Sequence, residues 1–255
     1  LIQFPLGIFG VALATAILPT LSAQAARGAL DELRTTIGFG LRMIFFIILP
    51  AMAGLILLRY PIVHLVFEHG SFTKADTLAT ATALLCYAVG LWAFAGVRII
   101  VSAFYSLQDT RTPAITAGIA VGANIGLSLW LMTILDAAGL ALATALASML
   151  NGSILVAVLH RRLGRVDWGA VVRSAGRVLV ASIPMAGICL WVASAPLWTE
   201  SGQWLVKSVM LFGGIGFSVM AYLGMHVMLG SDELDVALGL VKRKLERVAR
   251  KFGAP

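Results

Sequence analysis

The chain has 255 residues, 60% of them hydrophobic and only 12% charged, and its mean hydropathy is +0.94. A soluble domain averages about 45–50% apolar and about 25% charged residues, so in water this chain would expose apolar patches that soluble monomers rarely carry. The net charge of +7 does not indicate nucleic acid either, because the cations fall between and beyond the apolar stretches rather than on one basic, aromatic face.

A bilayer crossing needs about 20 mainly apolar residues. Seven segments meet that standard, at 4–20, 37–58, 79–105, 114–134, 138–159, 174–195 and 205–229. The expected fold is an all-α integral membrane protein, a polytopic bundle of about seven transmembrane helices with no soluble domain between them. The first segment is short and carries Pro5, Gly7, Gly10 and Pro19. It reads as the tail of a longer helix, and the chain as a fragment without a signal peptide.

Between the segments, Thr73 with Asp76 three residues later predicts a capping box. Thr112 before Pro113 predicts a helix start, the threonine capping and the proline in first position. Trp198 and Trp204 flank the connection 196–204, where interfacial aromatics belong. The tail from Asp232 to Phe252 mixes Leu and Val with many cations. That pattern fits an amphipathic helix on an anionic leaflet or a solvated coil.

Alternate connections differ in charge. One set, with the tail, holds fourteen Lys and Arg residues, the other only Arg59, Lys74 and Lys207. The positive-inside rule then places the C-terminus in the cytoplasm and the N-terminus outside.

Two arginines fall within the spans. Burying a guanidinium in lipid costs about 2.5–3.5 kcal/mol even on the lenient insertion scale. Arg42 and Arg98 therefore either line a cavity or snorkel to the inner interface. Arg98, Ser102 and Tyr105 recur on one helical face and form a polar stripe. No acid within the spans stands out as a partner, which leaves an anionic ligand or an acid on a missing part.

In the fourth segment Gly118, Gly122 and Gly126 form G-x-x-x-G steps for close helix packing. Asn124 and Ser128 share the opposite face, with Thr144 on the next helix. These three oxygens either bind Na⁺ or hydrogen-bond between helices, and the lack of an acid favours the second. Cys86 and Cys189 read as packing residues. His64, His69 and Glu68 read as a solvated outer loop, and His160 and His226 as helix ends. No carboxylate pair, metal cluster, nucleophile elbow or phosphate loop appears, so no enzyme is expected.

Three strings in this order resemble one family: QFPLGIFGVALATAILPTLS (Gln3 to Ser22), LVFEHGSFTKAD (Leu65 to Asp76) and FYSLQDTRTP (Phe104 to Pro113). The family is that of the MurJ (MviN) lipid II flippases, in the superfamily of multidrug and polysaccharide exporters. The resemblance extends to about Gly230 and implies helices eight to fourteen of a fourteen-helix, two-lobed transporter. On that basis 1–160 are second-lobe helices, the first truncated. Residues 161–230 are two extra C-terminal helices forming a lipid groove, and 231–255 a basic amphipathic cytoplasmic tail.

The resemblance further implies flipping of undecaprenyl-pyrophosphate-linked peptidoglycan precursor by alternating access, in the bacterial cytoplasmic membrane. It implies a missing N-terminal half as partner, and Arg42 and Arg98 as pyrophosphate ligands. Relatives that bind sodium use an Asn, an Asp and a Thr. Asn124 and Thr144 match, but Ser128 stands where the acid should be, so Na⁺ or proton coupling stays open. The alternatives are another exporter of the superfamily or a non-transporting membrane scaffold.

Overall fold

A computed structural model describes residues 1–164, 166–198, 202–236 and 239. Among them no strand occurs, and six helices are long and apolar enough to cross a membrane. Helix α1 (Gln3–Pro5) passes through a π-helical turn (Leu6–Val11) into α2 (Ala12–Ala26) as one continuous 24-residue helix. At about 1.5 Å per residue this is membrane-spanning length, so the first segment is longer than hydropathy predicts. Near its end Gln24 Nε2 donates to Thr36 Oγ1 at 3.0 Å.

Helix α3 (Leu30–Leu57) is the central post. Leu41, Ile44 and Ile48 pack into a core with α2, α6 and the end of α7, while Phe46 and Leu49 face a second core with α8 and α9. Helix α4 (Arg59–Phe67) is short. It leads to the capping box predicted before α5 (Lys74–Val89): Thr73 Oγ1 accepts from Asp76 N, and Asp76 Oδ2 accepts from Thr73 N at 2.9 Å. Helix α6 (Leu91–Ser106) continues the same crossing after a bend at Gly90. A Cβ at Gly90 would lie 2.6 Å from that of Ala145, so only glycine admits this approach.

The 53-residue α7 (Arg111–Leu163) would measure about 80 Å if straight. It reverses at Asp136, whose φ of 48° and ψ of −132° break the helix. The reversal is proved by Gly139: its missing Cβ would lie 2.3 Å from the Leu131 carbonyl oxygen. Residues eight apart in a straight helix would be about 12 Å apart. The two arms, 111–135 and 137–163, are each long enough to cross, giving the seven crossings expected. Helices α8 (Trp168–Ala193) and α9 (Trp204–Met228) complete the chain, with a 3₁₀ turn at Pro196–Trp198 between them.

Three expectations are corrected. Thr112 lies inside α7 rather than capping it: the N-cap position is Thr110, and the side chain that accepts at this end is that of Asp109. Its Oδ1 accepts from Thr112 N at 3.0 Å, and its Oδ2 from Thr112 Oγ1 at 2.6 Å. The glycine steps at 118, 122 and 126 bury nothing; all three are exposed, with open space where a Cβ would sit. Trp204 is exposed, as an interfacial residue is, but Trp198 is buried and donates its Nε1–H to the Val192 carbonyl. Of the predicted tail helix, 237–238 and 240–252 lie outside the described residues.

Thr112 holds the Asp109 carboxyl below the usual carboxylate range, burial opposes the shift, and Arg162 at 2.6 Å adds to it. A depressed folded value means stabilisation present at neutral pH and lost as pH falls through it. Asp109→Asn is expected to lower the melting temperature at pH 7, and the difference from wild type should shrink as the pH falls through the depressed value. A difference that does not change with pH would show that ionisation plays no part.

Candidate functional site

Helices α1, α5, α6 and both arms of α7 line an open cavity of about 630 Å³. Its polar lining comes from Gln3, Tyr87, Arg98, Asn124, Thr144, Ser148 and Asn151. Arg98 lies against the π-helical turn opposite, where a Cβ on Gly10 would stand at an ordinary contact distance of 3.5 Å from Arg98 Cδ. Single π turns inside α-helices are frequent at functional sites. Asn151 Oδ1, on this lining, is buried without a hydrogen-bond partner, as are Gln24 Oε1 and His226 Nε2 elsewhere.

The lining holds one permanent cation, several amides and hydroxyls, and no carboxylate. In a low-dielectric wall a forked guanidinium favours an anion, above all one with several oxygens. The same charge opposes a bare cation.

The predicted site residues separate. Arg98, Asn124 and Thr144 share this cavity. Ser128 is not in its lining and donates to Asn124 Oδ1 at 3.2 Å, while Thr144 Oγ1 donates to the Leu140 carbonyl. The stripe from Arg98 is not a wet wall: Ser102 is buried and donates to the Arg98 carbonyl, and Tyr105 is exposed.

Arg42 does not line the cavity. Its Nη1 stands 3.7 Å from Glu233 Oε1 across the α3–α8 junction, where Ser174 Oγ donates to the same oxygen at 2.8 Å. The expectation that no acid answers Arg42 is thus overturned. The partner lies beyond the last span, where the chain turns at Gly230 (φ 55°) and buries Glu233 to 4% exposure. Sequence distance hid it, since the sequence pattern assigns Glu233 to an amphipathic tail beyond the last span.

Near Arg42 a second device joins α3 to α9. Pro50 has no N–H to give the carbonyl four residues before it. That carbonyl, Phe46 O, instead accepts from Tyr222 Oη at 2.7 Å. The proline was a usable signal for an orphan acceptor, though not for the donor that meets it.

At the opposite end of the bundle, His64 and Glu68, read as part of a solvated loop, belong to a packed network, while His69 is exposed. His64 lies on α4 with its side chain 10% exposed, 2.7 Å from Glu68 Oε2 and 2.8 Å from Lys207 Nζ. Thr77 Oγ1 donates to Glu68 Oε2 at 2.7 Å. Cys189 is buried beside Ser218 and Cys86 is half-buried, in keeping with packing roles.

Seven apolar crossings, with the Arg98 guanidinium at a cavity lined by α1, α5, α6 and both arms of α7, define a multi-pass helical membrane protein. The sequence profile of the family "Lipid II flippase MurJ" matches residues 1–212, and the chain belongs to that family. It is 34% identical over 231 residues to a probable lipid II flippase MurJ of Vibrio cholerae, covering 90% of this chain and 44% of that protein. It is 32% identical over 247 residues to the Rhizobium meliloti counterpart, covering 94% and 45%. The solved structure "Lipid II flippase MurJ, inward closed conformation" shares the fold, with a TM-score of 0.68 at 23% identity over 90% of this chain and 46% of that one. The chain spans less than half the length of these relatives.

Proposed function

We propose that this chain forms the second lobe of a carrier that moves undecaprenyl-pyrophosphate-linked peptidoglycan precursor, lipid II, from the inner to the outer leaflet of the bacterial cytoplasmic membrane. It acts by alternating access with an N-terminal lobe, and no bond is made or broken. The C-terminus faces the cytoplasm, in line with the basic connections. The observation that carries this reading is the cavity wall at Arg98, a single cation among neutral hydrogen-bonding groups with no acid to neutralise it.

Arg98 is the diphosphate ligand in this reading. Arg42 serves structure, because Glu233 already answers its charge. Asn124 and Thr144 assist as neutral polar contacts, and a sodium ion beside Arg98 would be repelled. Membrane lipids meet the exposed apolar faces, among them Ile119, Ile125 and Leu129 of α7.

A hydrogen-bonded charged contact contributes about 1.5–3 kcal/mol, or roughly 10–100-fold in affinity. In the full-length protein, Arg98→Ala is expected to slow lipid II translocation in membrane vesicles by at least about tenfold, with Arg98→Lys partly active. Wild-type translocation by Arg98→Ala would refute the assignment.

A further inference from the structure

The second arm of α7 lies in register beside the α5–α6 crossing. A Cβ at Gly90 would stand 2.6 Å from that of Ala145, and one at Gly152 would stand 3.3 Å from Val97 Cγ2. Residue numbers rise together across these two contacts, 90 with 145 and 97 with 152, so the neighbours run parallel. The register sets Arg98 beside the turn of α7 that carries Asn151. Thr144, Ser148 and Asn151 are spaced by four and then three residues, so they share one face of the arm, and all three line the cavity with Arg98. At 1.5 Å per residue the stripe is about 10 Å long, with Arg98 at its Asn151 end.

The stripe offers what Arg98 does not. A guanidinium only donates. Thr144 spends its hydroxyl proton on the Leu140 carbonyl, which leaves its oxygen as an acceptor. Ser148 can donate and accept. Asn151 Oδ1 is an acceptor without a donor. Gln24 Oε1 and His226 Nε2 share that condition among the described residues, but only Asn151 is on this lining. Nothing holds the oxygen end of its amide, and the terminal torsion of an asparagine is soft.

An ionised diphosphate carries acceptors only. It answers Arg98, but against the stripe it sets lone pair against lone pair. A neutral group rich in O–H and N–H, joined directly to the phosphate, answers the stripe as well. The volume of about 630 Å³ lies in the range of pockets that take drug-sized ligands, so the cavity has room for both.

We propose that Thr144, Ser148 and Asn151 form a saccharide subsite. The first sugar on a lipid diphosphate donates its hydroxyl or acetamido hydrogens to the α7 stripe while the phosphates stay on Arg98. With the diphosphate at Arg98 taken from the function proposed above, the stripe adds a basis for choice among polyprenyl diphosphates. Arg98 holds any of them, whereas the stripe favours those that carry a sugar. Such discrimination arises because the wrong ligand leaves polar groups of the site unpaired.

The test uses the intact protein containing this chain, in lipid nanodiscs, and measures the affinity of two probes. One is undecaprenyl diphosphate, the other the same lipid diphosphate bearing a single N-acetylglucosamine. Wild type should bind the sugar-bearing probe at least about tenfold tighter, as expected when one or two unpaired groups gain hydrogen bonds. Asn151→Leu, similar in shape, should cancel that preference by weakening the sugar-bearing probe and leaving the bare one as it was. Arg98→Ala should weaken both probes alike. Asn151 Oδ1 has no hydrogen bond to lose, so the leucine variant should keep its melting temperature. If it does not fold, Ser148→Ala should cut the preference about threefold.

Equal affinity of wild type for the two probes would overturn the subsite, as would a full preference in whichever of these two variants folds. A wild type that binds neither probe overturns both the subsite and the function proposed above. If Arg98→Ala binds both probes like wild type, the diphosphate assignment fails, while a sugar preference lost in Asn151→Leu still supports the subsite.

Discussion

Gly139→Val is expected to destroy the α7 hairpin and with it the folded protein. The added Cβ would meet the Leu131 carbonyl at 2.3 Å from its oxygen and 2.5 Å from its carbon. Backbone cannot swing aside as a side-chain end can. The cost therefore exceeds the 1–3 kcal/mol typical of overpacked cores. Thermal unfolding of the purified intact protein should show a lost or strongly lowered transition, and even Gly139→Ala should be destabilising. Asp136→Gly is the internal control. It relieves a left-handed backbone that costs an aspartate about 1–3 kcal/mol, so it should raise the melting temperature. A wild-type transition for Gly139→Val would mean that the chain does not reverse there.

The second large effect is expected at Glu233. Removing one partner of a buried pair costs about 3–5 kcal/mol, because the other charge is left without compensation. Arg42 retains 26% side-chain exposure and the pair is 3.7 Å apart, so about 1–3 kcal/mol is the expected loss for Glu233→Ala. Ser174 loses its acceptor in the same variant. Arg42→Met combined with Glu233→Met should recover most of the loss, since two apolar groups leave no orphan charge. Strictly additive single effects in a double-mutant cycle would show that the two side chains do not interact.

The two arginines show where sequence reasoning stopped. Both sit at comparable depth in apolar helices, and hydropathy gives them the same two options. Tertiary structure separates them through partners far along the chain. Glu233 folds back onto Arg42, whereas Arg98 lines the cavity between α1, α5, α6 and α7, where no carboxylate is present. His64 was misread for a related reason. A short polar stretch between spans looks solvated until Trp198 and Lys207 arrive from beyond α8 to cover it. The glycine steps erred in the other direction, because a spacing that permits close packing does not supply the helix that packs.

Local physics settled a good deal unaided. Hydropathy of each segment fixed the number of crossings, because a backbone in lipid must satisfy its own hydrogen bonds and the crossing length is set by the bilayer. The Thr73–Asp76 capping box is also local, since donor and acceptor lie within one turn. Tertiary structure alone decided which polar groups meet: Tyr222 with the Phe46 carbonyl, Glu233 with Arg42, Lys207 with His64. Those choices depend on how the helices pack side by side, and one-dimensional periodicity carries no information about which helix becomes the neighbour of which.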